Sequence, residues 1–304
     1  MNISTRPRPR PAPQTGPAVW TAADLTAADW MIPVGAEEAS ELDAVLTTTE
    51  AAAPVPPLNR LAPILAAVTA RLDTGHGFCL LRGLPFDRHG AAAAEAALLA
   101  LGAQLGKRLS GEGAPVTRLT GPPPEGPASG PPRFHSEACD AIALLCLANA
   151  PDAAPHVLVS AGAVHNEVMR RDRALLAALY EPAPLVEDGT AVERAVFTMT
   201  EGAFAARYTR HAVEAAAQSP QPGAPPPPAD QRAAFDLLDT VCAAPNLALK
   251  LEPRPGDLLL FNPHIVWKLR TLAETPRDAP QAPQEFLRLR LTMEHSRRTV
   301  AEPA

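Results

Sequence analysis

Two His-x-Glu triplets carry side chains able to do chemistry together, His135-Ser136-Glu137 and His165-Asn166-Glu167. An imidazole and a carboxylate can share a divalent metal or pass a proton between them. Positions i and i+2 of a strand point to the same side, and the first triplet opens a strand-like segment, so His135 and Glu137 could act on one bound species. The second triplet falls at the start of an expected helix, where i and i+2 point apart, and reads as a surface pair. Eight histidines and 33 acidic residues in 304 positions give about 0.9 such triplets by chance, so spacing alone assigns neither. Lysine is scarce: the 27 basic residues include only Lys107, Lys250 and Lys268. The last lies in a strand-like apolar run, where a charge is conspicuous.

The elements that must position these groups follow from hydrophobic period. Apolar residues at Leu61, Ile64, Leu65, Val68 and Leu72 predict a helix over 58–72, stopped by Gly75 and Gly77. A buried strand over 78–83 and a helix over 91–105 follow. Further strands are expected at 116–120, 142–147, 157–160 and 192–198, with helices over 163–171 and 173–180. A helix over 231–242 and strands at 248–252, 258–261, 265–270 and 286–294 close the chain. Many short strands joined by turns, with helices concentrated early, predict a mainly β protein with flanking helices (α+β), a sandwich or jelly roll. Residues 1–18 read as a disordered Arg/Pro tail and 19–304 as a single domain. Pro-rich loops are expected at 110–132 and 219–229; within the first, Ser110-Gly111-Glu112-Gly113 is a candidate lid.

Composition narrows the function classes. The 304 residues carry a formal charge of -6, which offers nucleic acid no basic surface. No apolar run approaches the ~20 residues that cross a bilayer, and the N-terminus has no apolar signal core, so a cytoplasmic protein is expected. The 36 prolines exceed the usual share more than twofold, and they cluster in the tail and loops. Cys79, Cys139, Cys146 and Cys242 lack close paired spacing and read as reduced core thiols. His76, His89, His156, His211 and His295 have no partner at useful spacing and read as structural or solvated.

Phe134-His135-Ser136-Glu137 followed by Asp140-Ala141-Ile142-Ala143-Leu144-Leu145-Cys146-Leu147 resembles the first-ligand region of the taurine dioxygenase and clavaminate synthase-like family of iron(II)/2-oxoglutarate oxygenases. Gly77-Phe78-Cys79-Leu80-Leu81-Arg82-Gly83-Leu84-Pro85, Leu158-Val159-Ser160 and Pro255-Gly256-Asp257-Leu258 resemble other segments of that family, in the same order. The likeness spans about residues 60 to 295, and the His-x-Glu form is similar to the asparagine and arginine hydroxylase branch. It implies a double-stranded β-helix, iron(II) and 2-oxoglutarate as cofactors, His135 and Glu137 as metal ligands, and a small amino-acid-like substrate. Tyr208 and Arg210 fall where the family often places substrate-side residues, although an exposed helix would look identical. The preference for arginine over lysine suggests high-GC coding and a role in secondary metabolism.

The resemblance also implies a departure. Counting back from Arg270-Thr271, which resembles the family's His-x-Arg-Thr ending, the distal His position holds Lys268. A protonated ammonium has no lone pair for iron. His264, four residues earlier on the same expected strand face, is the candidate to substitute. The family's Arg-x-x-x-Arg pair is represented by Gln284 and Arg288, so Arg288 and Arg270 are the expected carboxylate binders, with Arg290 nearby. The Gly-Gly step before the post-motif strand is Ala153-Ala154-Pro155. Three readings stay open. The first is an atypical enzyme in which His135, Glu137 and Lys268 move protons; the others are an iron oxygenase with a substituted third ligand and a non-catalytic binding protein.

Overall fold

The computed structural model describes residues 11–48, 57–86, 90–109, 116–121, 132–187, 190–200, 202–218, 226–269, 271–275, 280 and 282–294. Arg270, His89, His295, the Ser110–Gly113 segment and most of both Pro-rich loops lie outside them. In chain order the described strands are β1 (Met31–Pro33), β2 (Phe78–Arg82), β3 (Lys107–Arg108), β4 (Thr117–Thr120), β5 (Phe134–His135), β6 (Ala141–Asn149), β7 (His156–Ser160) and β8 (Ala183–Glu187). They continue with β9 (Thr190–Arg194), β10 (Phe197–Thr200), β11 (Ala203–Ala206), β12 (Leu249–Leu251), β13 (Leu258–Phe261), β14 (Val266–Leu269), β15 (Ala273–Glu274) and β16 (Gln284–Thr292).

Eight strands form a major sheet ordered β1-β2-β13-β6-β16-β4-β15, with β3 added on β16, and four form a minor sheet ordered β12-β7-β14-β5. Strands distant in sequence are neighbours in space, and the two sheets face each other as the jelly roll expected from the strand count. Alternation along each strand builds the layers. Phe78, Leu80, Ile142, Leu144, Leu259, Phe261 and Phe286 of the major sheet meet Leu158, Leu251 and Val266 of the minor sheet in one buried cluster. The opposite face of the major sheet packs Leu81, Leu145, Leu260, Leu287 and Leu289 on the helices Ala36–Thr48, Ala62–Asp73 and Ala91–Leu105. The outer face of the minor sheet, with Val157, Val159 and Trp267, is covered by Ala161–Arg171, Arg173–Ala178 and Ala229–Cys242. Each fully buried Leu, Val or Phe contributes roughly 1.5–3 kcal/mol.

Two segments of the resemblance turn out to be adjacent. β2 pairs with β13, and Arg82 forks onto Asp257 with Nε at 3.0 Å and Nη2 at 2.6 Å from its two oxygens. Asp257 also accepts from the main-chain N–H of Arg254 at 2.8 Å, which closes the turn into β13. Gly256, at φ +91°, takes the left-handed conformation that turn requires. Gly102, in the helix Ala91–Leu105, lets that helix approach β16: a Cβ there would stand 2.3 Å from Leu289 Cδ2.

Several expectations change. The strand predicted at 192–198 is two strands, because the chain turns at Ala195-Val196 to bond Val196 and Phe197 N–H groups to Leu179 O. The helices Ala36–Thr48 and Arg210–Gln218 were not expected. Residues 11–18 of the tail expected to be disordered are held: Gln14 exchanges main-chain bonds of 2.7 and 2.8 Å with the Asn166 side chain, and Ala18 O accepts from Ser160 Oγ at 2.6 Å. A proline-rich segment cannot join a ladder, but side-chain amides and hydroxyls can satisfy its main chain. All four cysteines are buried and free. No helix among the described residues is long and apolar enough to cross a membrane.

Candidate functional site

The structure brings His135, Glu137, Lys268 and Arg288 together between the sheets. Lys268 stands directly opposite His135 in the antiparallel β5–β14 pair and opposite Leu158 on its other side. Cross-strand partners share a face, so ammonium and imidazole point to the same interior. Glu137 reaches that interior by a different route from the one expected. β5 ends at His135, and Ser136 is tied to the Tyr208 main chain by bonds of 2.7 and 2.8 Å, so the chain turns before Glu137 instead of continuing as strand. The turn aims Glu137 across the gap, where its Oε2 lies 3.1 Å from Arg288 Nη1 on β16. Arg288 also pairs with Glu274.

Electrostatics single out Lys268. Its side chain is buried, and its Nζ donates to Leu269 O at 3.3 Å. Burial pulls its pKa down to about 8; the charge of Glu137 opposes that shift and Arg288 reinforces it. Arg288 goes the other way: burial works against its charge, but Glu137 and Glu274 more than offset this and hold its pKa above the ordinary value.

The side chains do not fit a facial-triad iron site. Among the described residues no three His, Cys, Asp or Glu side chains gather to hold a metal ion. His264 does not lie on the β14 face as expected. It sits in the turn before β14, where its N–H donates to Asn262 Oδ1 at 2.9 Å and its Nε2 lies 3.1 Å from Asp140 Oδ1. The Asn262–Ile265 turn sets that position, so His264 locks the turn to Asp140 instead of joining His135 and Glu137. Gln284, at the position the resemblance gives to a carboxylate-binding arginine, has its amide donating to Asn149 Oδ1 and Ala154 O, each at 2.9 Å. Arg290 lies one inward position beyond Arg288, opposite Ile142, with its charge near Cys139.

One interior group was missed from the sequence. His156 is fully buried at 0% exposure on β7, two residues from Leu158 and on the same face. Its ring stacks on Phe286 with centroids 4.4 Å apart, and neither ring nitrogen has a hydrogen-bond partner. Burial, and then the charge of Lys268, hold its pKa well below the usual histidine value. Arg288 Nε and Thr271 Oγ1 are also buried without a partner. Only the inward register of β7 marks His156 in the sequence, and an apolar residue would share that register.

A cavity of about 30 Å³ opens beside Glu137, bordered by Ser136, Ala138 and Thr209 and by the charged set Glu187, Arg194 and Arg207. Glu187 pairs with Arg194 at 2.8 Å and with Arg207 at 3.3 Å. Tyr208 is not on an exposed helix: it is buried, and its hydroxyl donates to Asp239 Oδ1 at 2.5 Å. Arg210 bonds Glu214 at 3.0 Å and Asp236 at 2.8 Å, joining the helices Arg210–Gln218 and Ala229–Cys242. The second triplet is corrected as well. His165 is not at the surface but fully buried, 2.8 Å from Tyr180 Oη, while Glu167 turns outward to Arg170 and Arg171.

The model of the Taurine catabolism dioxygenase TauD, TfdA family matches residues 44–278. The chain is 23% identical to FR-33289 synthase of Streptomyces rubellomurinus over 316 residues, covering 94% of this chain and 92% of that protein. Among solved structures, it resembles asparagine oxygenase in complex with Fe(II), 2S,3S-3-hydroxyasparagine and succinate, with a TM-score of 0.62, 19% identity, and 87% and 93% of the two chains covered. It also resembles the non-heme iron oxygenase OrfP in complex with Fe and alpha-ketoglutaric acid, with a TM-score of 0.60, 18% identity, and 86% and 94% covered. At these identities the structural likeness is one of fold.

Proposed function

Since this chain belongs to the taurine catabolism dioxygenase TauD, TfdA family, we propose that it is an atypical member in which His135, Glu137 and Lys268 carry out proton transfer on a small amino-acid-like substrate. Iron-dependent oxygenation is not the chemistry this set of side chains supports. The observation that carries the reading is Lys268 opposite His135: where iron would need a third lone pair, the chain supplies a buried amine. With a pKa of about 8, that amine exchanges a proton near neutral pH, the property a general acid or base needs. His135 offers a second exchangeable group on the same face. The Glu137–Arg288 pair fixes one wall of the site and compensates part of its positive charge.

The substrate class draws on two supports. Related folds have been solved with hydroxyasparagine and, for OrfP, with L-homoarginine. The cavity beside Glu137 sets two carboxylates, Glu137 and Glu187, against the guanidinium groups of Arg194 and Arg207, a mixed-charge lining that complements the charges of a zwitterion. A role in secondary metabolism is consistent with the Streptomyces relative.

The test is deuterium wash-in from D2O at Cα of L-asparagine, L-arginine and L-homoarginine, followed by proton NMR. Exchange that survives a chelator and disappears in Lys268→Ala is the expected result. Exchange that requires added iron(II), or succinate released from 2-oxoglutarate under air, would overturn the reading in favour of an oxygenase.

A further inference from the structure

We propose that the interior between the sheets, bounded by Lys268, His156 and Arg288, binds a single small monocarboxylate, with Lys268 as its counter-ion and His156 as a hydrogen-bond donor. This names the ligand class of the site above and rests on the reading that Lys268 replaces a metal ligand.

Charge balance is the first support. Around Lys268 itself, the charges that act on it are the cation Arg288 and one carboxylate, Glu137, whose oxygen is already engaged by Arg288 at 3.1 Å. The second partner of Arg288, Glu274, is 66% exposed and contributes little to the interior. Lys268 makes one main-chain bond of 3.3 Å, although an ammonium has three protons to donate. A buried cation so weakly satisfied is costly, and an anion of unit charge completes the set.

The unmatched polar atoms are the second support, independent of the first. His156 is fully buried with both ring nitrogens unpartnered, and Arg288 Nε and Thr271 Oγ1 are in the same state. Leaving one such group dry costs about 1–3 kcal/mol. His156 and Lys268 project from one face of the minor sheet, separated by the Leu158 pairing, while Phe286 and Arg288 project from the opposing strand β16. A carboxylate lying between them would accept from Lys268 Nζ with one oxygen and from a His156 ring N–H with the other.

The bonded Gln284 amide limits the ligand to one carboxylate. The amide that stands where a distal carboxylate would need a cation, Gln284, is tied to Asn149 and Ala154. The Phe286 ring stacked on His156 supplies the apolar wall of that interior. A 2-oxo acid with one carboxylate leaves that amide undisturbed, whereas a five-carbon dicarboxylate would set its second carboxylate against a neutral group already bonded elsewhere.

Isothermal titration of the full-length protein with sodium pyruvate, sodium 2-oxoglutarate and sodium chloride tests this, with metal content of the same sample measured in parallel. Pyruvate is expected to bind with 1:1 stoichiometry and 2-oxoglutarate about tenfold or more weaker. Lys268→Met should weaken pyruvate about tenfold or more, and His156→Phe, which keeps the ring stacked on Phe286, should weaken it severalfold. Circular dichroism confirms that both variants fold. Preference for 2-oxoglutarate, equal response to chloride, or no pyruvate binding in metal-free protein would overturn the carboxylate site while leaving proton transfer standing. Stoichiometric iron in the same sample would overturn both readings.

Discussion

Lys268 and His135 are direct cross-strand partners in the β5–β14 ladder, which puts an amine on the same interior face as the imidazole of the His-x-Glu triplet. On the proposed reading that relationship replaces a metal-binding frame with a charged acid–base one, and it makes Lys268 the residue whose replacement should report most.

Lys268→Met should stabilise the protein, by an amount that depends on pH. The folded-state pKa of about 8 lies below the ordinary lysine value of 10.5, so folding favours the neutral amine. Below pH 8 both states are protonated and the full penalty applies; between pH 8 and 10.5 the unfolded chain binds the extra proton and the penalty fades. The difference between variant and parent should be on the order of 3 kcal/mol at pH 7 and shrink toward zero by pH 10.5. Urea unfolding of both proteins across that range checks the slope.

Glu137→Gln removes the interior carboxylate and leaves Lys268 and Arg288 facing each other without compensation. A loss of about 3 kcal/mol is expected. Lys268→Met should stabilise the Glu137→Gln variant by more than it stabilises the parent, because the ammonium there has lost its nearby carboxylate. An equal effect of Lys268→Met in both backgrounds would contradict the proximity of Glu137 and Lys268.

Lys268→His supplies the third lone pair on the right strand face. Cobalt(II) should then bind and give a visible d–d band absent from the parent protein. His264→Ala in that background should leave the band intact, since His264 is held to Asp140 at 3.1 Å. Loss of the band in the double variant would reassign His264 as a ligand.

Arg82→Ala leaves Asp257, only 3% exposed, without its guanidinium at the turn into β13. The expected cost is about 3–5 kcal/mol, or roughly 10 °C in Tm, with no change in anion binding. Differential scanning calorimetry reads the first and titration the second.

Much of the frame was legible because its strands and helices carry a clean period. β13 and the helix Ala91–Leu105 fall on their expected bounds, since both are continuous apolar or alanine-rich segments closed by turns. The order of motifs led to the family and its jelly roll. The hairpins β8–β9 and β10–β11 were harder, because their strands are only four or five residues long and β9 is mostly exposed and polar. At the site, residue type pointed to His135, Glu137, Lys268 and Arg288, but the turn after His135 depends on Ser136 meeting Tyr208, 72 residues away. His156 was read as structural or solvated because its meaning comes from Phe286 and Lys268 across the interior, which no local pattern encodes.

The most direct test of the central claim is iron(II) binding by the purified protein under anaerobic conditions, with and without 2-oxoglutarate, read as iron per chain and as the metal-to-ligand charge-transfer band. Lys268 in place of a ligand predicts neither stoichiometric iron nor a band, and the appearance of both in Lys268→His. One iron per chain with a band in the parent protein would contradict the account.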